Sequence, residues 1–137
     1  MSDVAETQPK PDGDEAGQAT KPKRIATIMA HPDDAEFSCG ASLAKWAAEG
    51  HHLTIVLVTN GDKGSDDRSI SSPDLAAIRE REQAEAARIL GVKELVFMRN
   101  EDCMVVPALE LRRELVRVIR RIKPDIVVCS DPTIFFG

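Results

Sequence analysis

The chain has 137 residues, enough for one domain with a core and short for two. Its 18 Lys and Arg against 23 Asp and Glu give a formal net charge of −5, which argues against a general nucleic-acid binder, and its 42% hydrophobic residues fit a soluble globular protein. No apolar run approaches the roughly 20 residues of a membrane span, no charged-then-apolar leader opens the chain, and three cysteines without a CxxC pair argue against a disulfide framework, so a cytoplasmic location is expected.

Residues 1–22 are polar and almost without large apolar side chains, and they read as a disordered tail before a domain over 23–137. Ile25 to Ala30 reads as a buried strand. Ser38 to Glu49 reads as a helix ended by Gly50. His52 to Thr59 is a near-continuous β-branched and apolar run, as expected of a parallel strand covered on both faces. Asn60 to Ser72 is a long polar loop in which Gly61, Lys63 and Gly64 could cradle an anion or simply bend. Pro73 to Leu90 is a helix with Pro in its first turn and Gly91 after its end. Glu94 to Met98 is a short strand. Pro107 to Ile122 is a helix whose Leu111, Leu115, Val118, Ile119 and Ile122 form one apolar stripe. Asp125 to Ser130 is the last strand, with Cys129 expected in the core. This alternation predicts an α/β fold, a Rossmann-like parallel sheet with helices on both faces. The first strand-to-helix turn lacks GxGxxG, so a dinucleotide site of the usual kind is poorly supported.

Ala30-His31-Pro32-Asp33-Asp34-Ala35-Glu36 leaves the first strand. One imidazole and three carboxylates thus crowd the mouth of the sheet, where ligands of open α/β folds bind. Such a group can hold a divalent ion and leave a carboxylate to take a proton from water. The plainer reading is a helix N-terminus, where Asp and Glu cap free N–H groups. His51 and His52 begin the second strand, at the opposite end of a parallel sheet, roughly 20 Å away, and are rejected as ligands of the same ion. Asp62 and Asp131 follow strand ends and could reach the correct edge, or be polar loop residues. Arg79 and Glu82, three apart on a helix, could form an exposed ion pair.

With these residues in place, the chain resembles the LmbE-like/PIG-L family of zinc-dependent de-N-acetylases from about Arg24 to Gly137. The resemblance runs through Ala30 to Glu36, Gly40 and Leu43, Thr59 to Ser65, Arg79-x-x-Glu82 with Ala86 and Leu90-Gly91, Asp102, and Lys123-Pro124-Asp125. It implies that His31 and Asp34 bind zinc and that Asp33 is the general base. It also implies that Arg79 and Asp102 hold a small N-acetylated substrate, often derived from N-acetylglucosamine. The resemblance further implies a third zinc ligand, a His in a His-x-x-His-like motif soon after the fourth strand. The sequence ends at Gly137 before any such motif, so it looks like the N-terminal part of the domain, truncated at the C-terminus and weakly active or inactive alone. Phe135 and Phe136 are expected to pack a core from which the remainder is missing. The alternative from another class is a non-catalytic α/β module that binds a sugar, phosphate or partner. The sequence leaves the oligomeric state open.

Overall fold

The sheet is built around two central strands, rich in β-branched residues, that bury both faces. In a computed structural model describing residues 21–133, four parallel strands are ordered β3-β2-β1-β4. In chain order the elements are β1 (Arg24–Met29), α1 (Asp34–Ala48), β2 (His52–Thr59), α2 (Ser72–Leu90), β3 (Glu94–Asn100), α3 (Leu109–Ile122) and β4 (Ile126–Cys129). β1 registers with β2 from Arg24↔His52 to Met29↔Leu57, and with β4 from Ile25↔Ile126 to Ile28↔Cys129. Of the tail expected over 1–22, all but Lys21 and Pro22 lies outside the described residues, as do Phe135 and Phe136.

The period of two sorts each strand between two cores. Ile25, Met29, Leu53, Ile55 and Leu57 pack with Leu43 and Trp46 of α1 and Leu90 of α2. Ala26 and Val56 on the other face pack with Val118 and Ile122 of α3. Helices therefore cover both faces, as the alternation requires: the chain steps one way along the sheet through β1, β2 and β3, then reverses to reach β4.

The boundaries of β2 and the end of α2 lie where the sequence puts them. Ser71 caps α2 by accepting from the Asp74 N–H at 3.3 Å, and Gly91 closes it at φ 77°. α1 begins four residues before Ser38, because the chain turns into the helix at Asp33, and it is kinked at Cys39 (φ −149°, ψ 20°). β3 runs on to Asn100 through a register irregularity opposite Leu57 and Thr59. Two core expectations are corrected. Cys129 is exposed because β4 is an edge strand whose side chain there finds no covering helix, and Ile119 is 36% exposed at the margin of the α3 stripe.

Candidate active site

The strand order reverses between β1 and β4, and a cavity of about 530 Å³ opens at their carboxyl ends. Met29, His31, Thr59, Asp102, Cys103 and Ser130 line it. His31 is the first functional side chain beyond β1. Its Nε2 lies 3.0 Å from Asp102 Oδ1, after β3, and its Nδ1 lies 3.4 Å from Asp34 Oδ2. Asp102 is 7% exposed and itself fixed: its Oδ1 accepts from the Cys103 N–H at 2.8 Å, and its own N–H donates to Asp62 Oδ1 at 3.0 Å. Asp62, read as either a ligand or a loop residue, thus supports Asp102.

The chemistry of these atoms tests whether they fit a metal. A carboxylate can only accept, so the neutral ring gives Asp102 its Nε2–H and keeps a bare lone pair at Nδ1. That lone pair faces a second acceptor, Asp34 Oδ2, which also accepts the His31 backbone N–H at 2.8 Å. Two acceptors side by side suit a cation. Ligand atoms at about 2.0–2.1 Å from a tetrahedral zinc lie about 3.3 Å apart, against the 3.4 Å found here. His31 and Asp34 therefore fit as two zinc donors. Among the described residues, no group of three His, Cys, Asp or Glu is gathered as a metal cage.

Asp33 faces elsewhere. It is the N-cap of α1 but makes no side-chain cap bond, and its backbone is left-handed at φ 84°. Its carboxylate instead accepts from Arg79 Nη2 at 2.7 Å, and the same nitrogen donates to the Pro32 carbonyl at 3.1 Å. Arg79 Nη1 donates to Glu82 Oε2 at 3.0 Å, so the helix pair expected from spacing exists and a second, longer-range partner joins it. Burial alone would lower the Arg79 pKa, but Asp33 and then Glu82, by hydrogen bonds and charge, carry it above its ordinary value. The guanidinium is a permanent cation beside the candidate base.

Spacing within the first motif does not reveal Gln83 of α2. It is 2% exposed, accepts the Asp33 N–H at 2.9 Å and donates to Glu36 Oε1 at 2.6 Å. Glu36, weighed as a metal approach or a helix-start residue, is held by this amide. The signal available was helical: Gln83 lies four residues after Arg79 and so on the same face of α2.

The long loop is tied to the same edge. Lys63 donates to Ser72 Oγ at 3.3 Å and lies 3.1 Å from Glu101 and 3.5 Å from Asp62, so carboxylates of the chain surround the cation that could have held an anion. The hydrogen bond to Glu101 is the main cause that raises its pKa. Gly61, at φ 66°, passes so close to Pro32 that a Cβ would lie 3.3 Å from its Cδ. Asp131 accepts from Thr133 and is exposed. His51 sits at the far end of the sheet, where its Nδ1 accepts the Lys23 N–H at 3.1 Å, and His52 registers with Arg24 at the start of β1.

Residues 26–134 match the family profile described as PIG-L, GlcNAc-PI de-N-acetylase. The chain is 34% identical over 110 residues to a diacetylchitobiose deacetylase of Thermococcus kodakarensis, covering 80% of this chain and 41% of that protein. It is 31% identical over 144 residues to a 1D-myo-inositol 2-acetamido-2-deoxy-alpha-D-glucopyranoside deacetylase of Thermobispora bispora, covering 84% and 46%. A solved N,N'-diacetylchitobiose deacetylase from Pyrococcus horikoshii superposes with a TM-score of 0.81 at 34% identity, covering 84% of this chain and 43% of that one. The chain thus spans somewhat less than half the length of these relatives.

Proposed function

The chain belongs to the PIG-L family of GlcNAc-PI de-N-acetylases, and from that premise we propose that it carries the first half of the site of a zinc-dependent hydrolase that removes the acetyl group from an N-acetylglucosamine-type substrate. The observation that carries the reading is a division of labour within one turn. His31 and Asp34 present their donor atoms to one point, while Asp33, between them, turns to Arg79 and Gln83. A carboxylate beside two ligands that is not itself spent on the metal is free to take a proton from water there.

Bound zinc would supply a water of lowered pKa and a Lewis acid for the amide carbonyl. The protein's own groups do the rest. Arg79 grips Asp33 Oδ2 and orients the carboxylate, so that the other oxygen can accept the proton of the attacking water. Asp102 holds the His31 ring in the tautomer that leaves Nδ1 free. Asp102 lines the cavity, whereas Arg79 stands on the other flank of the turn beside Asp33, and we assign their remaining hydrogen-bonding capacity to polar groups of the substrate. The third metal donor and the acid that protonates the departing amine would come from outside the described residues.

Asp33→Asn isolates the charge, because Asn tolerates the left-handed backbone that Ala resists. Carried in the longest product of the gene, the variant should keep its zinc content and lose about 10²–10⁴-fold in acetate release from N,N'-diacetylchitobiose, the scale of general-base catalysis. Unchanged turnover would remove Asp33 from the role. The absence of a three-donor group among the described residues favours a second reading, a sugar-binding module. It predicts saturable sugar binding with no acetate released by this chain or by any longer product of its gene.

A further inference from the structure

We infer that Gln83 is a positioning residue which, together with Glu36, locks Asp33 into the left-handed turn that aims its carboxylate; the inference rests on the base role proposed for Asp33. A non-glycine residue at φ 84° is held against its own preference, and a surrounding structure must impose it. An Asp at an N-cap ordinarily secures itself by bonding its side chain to the N–H groups of its helix. Asp33 has no such bond, so its side chain does not fix its own backbone. The backbone is fixed from α2 instead. Gln83 Oε1 accepts the Asp33 N–H at 2.9 Å from a position 2% exposed.

The polarity of that amide is not left to chance. The Asp33 N–H can only donate, so the Gln83 oxygen faces it. Its nitrogen must then face an acceptor, which Glu36 Oε1 provides at 2.6 Å. Glu36 lies in the first turn of the helix that Asp33 opens. The bridge from the Asp33 N–H through Gln83 to Glu36 therefore ties both sides of the turn to one residue of a different helix. Arg79, one turn earlier on α2, takes the Asp33 carboxylate and the Pro32 carbonyl. A single face of α2 thus sets both the backbone and the side chain of the base. Gln83 has no part in the ligand pair and does not reach the substrate cavity.

The test exploits the direction of the two hydrogen bonds. Gln83→Met keeps the shape and removes both. Gln83→Glu keeps the acceptor for the Asp33 N–H but sets two carboxylates against each other. The double variant Gln83→Glu/Glu36→Gln restores one acceptor and one donor in the same places. In wild type and all variants, hydrogen exchange of the Asp33 amide is followed by NMR, and kcat, KM and zinc content are measured with N,N'-diacetylchitobiose on the longest product of the gene. The Asp33 amide should exchange faster in Gln83→Met than in wild type and return to slow exchange in the double variant. kcat should fall about 10–100-fold in Gln83→Met and Gln83→Glu, the scale of a base displaced by a fraction of an ångström to an ångström. KM and zinc content should be unchanged, and kcat should recover in the double variant. An Asp33 amide indifferent to Gln83→Met, or a double variant no better than Gln83→Glu, would overturn the inference. If the longest product of the gene released no acetate in its wild-type form while the amide behaved as stated, the hydrolase reading would fall and the lock on the turn would stand.

Discussion

Asp33, His31 and Asp34 sit side by side yet serve two different neighbourhoods, and the reason is backbone geometry. The left-handed turn at Asp33 rotates its carboxylate away from its neighbours' and toward α2. On the other side, Asp102 is the sole described partner of His31 Nε2 and is nearly fully buried. Asp102→Ala should loosen the ring and lower zinc affinity about 10–100-fold, as losing the carboxylate behind a metal-bound His does elsewhere. A competition titration with a zinc-binding dye would measure this, and unchanged affinity would show that the ring needs no such support. At this scale the sequence was partly legible. It marks His31, Asp33 and Asp34 as a group because a strand delivers them to one turn. It does not show that Asp102 backs His31 from 71 residues away or that Gln83 reaches Asp33 from 50 away, because sequence spacing is silent about packing between helices and strand ends.

At the scale of elements, two contacts hold α2 in the position from which it works. The first is its C-cap. Gly91 is left-handed, and a Cβ there would lie 2.9 Å from the Ala47 Cβ of α1. Gly91→Ala combines that collision with a backbone cost of about 1–2 kcal/mol, so the urea midpoint should drop by at least the corresponding amount. The second is the fork between Arg99, at the end of β3, and Glu80 of α2, with bonds of 2.8 and 3.0 Å. The Arg99 hydrogen bonds and charge, outweighing partial burial, lower the Glu80 pKa from the usual carboxylate value near 4.5. A depressed folded-state pKa means the pair stabilises fully above the unfolded value. The contribution is lost as pH falls below about 4.5 and through the lower folded pKa. Arg99 is exposed and Glu80 only partly buried, so solvent screening keeps the amount small. Thermal melts of wild type and Glu80→Gln should differ at pH 7 and converge toward pH 3. The element boundaries themselves were legible where one force dominates. β2 is delimited by its β-branched run and α2 by Ser71 and Gly91. The start of α1 was visible only in the plainer reading of Asp33 to Glu36 as a helix N-terminus, because the turn there is held from α2 and not by a cap bond of its own.

For the whole molecule, the alternation of strand and helix was enough to specify the parallel sheet, both covered faces and the edge at which the site lies. The exposure of Cys129 was beyond it, because an apolar run does not say which strand lies at the edge of the sheet. Only two candidate donors, His31 and Asp34, meet among the described residues, so zinc titration of the 137-residue chain should give a shallow isotherm. A steep one-to-one isotherm would show that a third donor joins them. β1 also determines how the protein can be handled. The chain enters that strand beside His51 and leaves it at His31, so its six residues put about 20 Å between the entry point and the crevice. A tag or linker joined ahead of Lys23 is attached at the rear of the sheet. Immobilisation by that route should leave the crevice turned toward solution, where surface-tethered measurements of sugar or metal uptake can reach it.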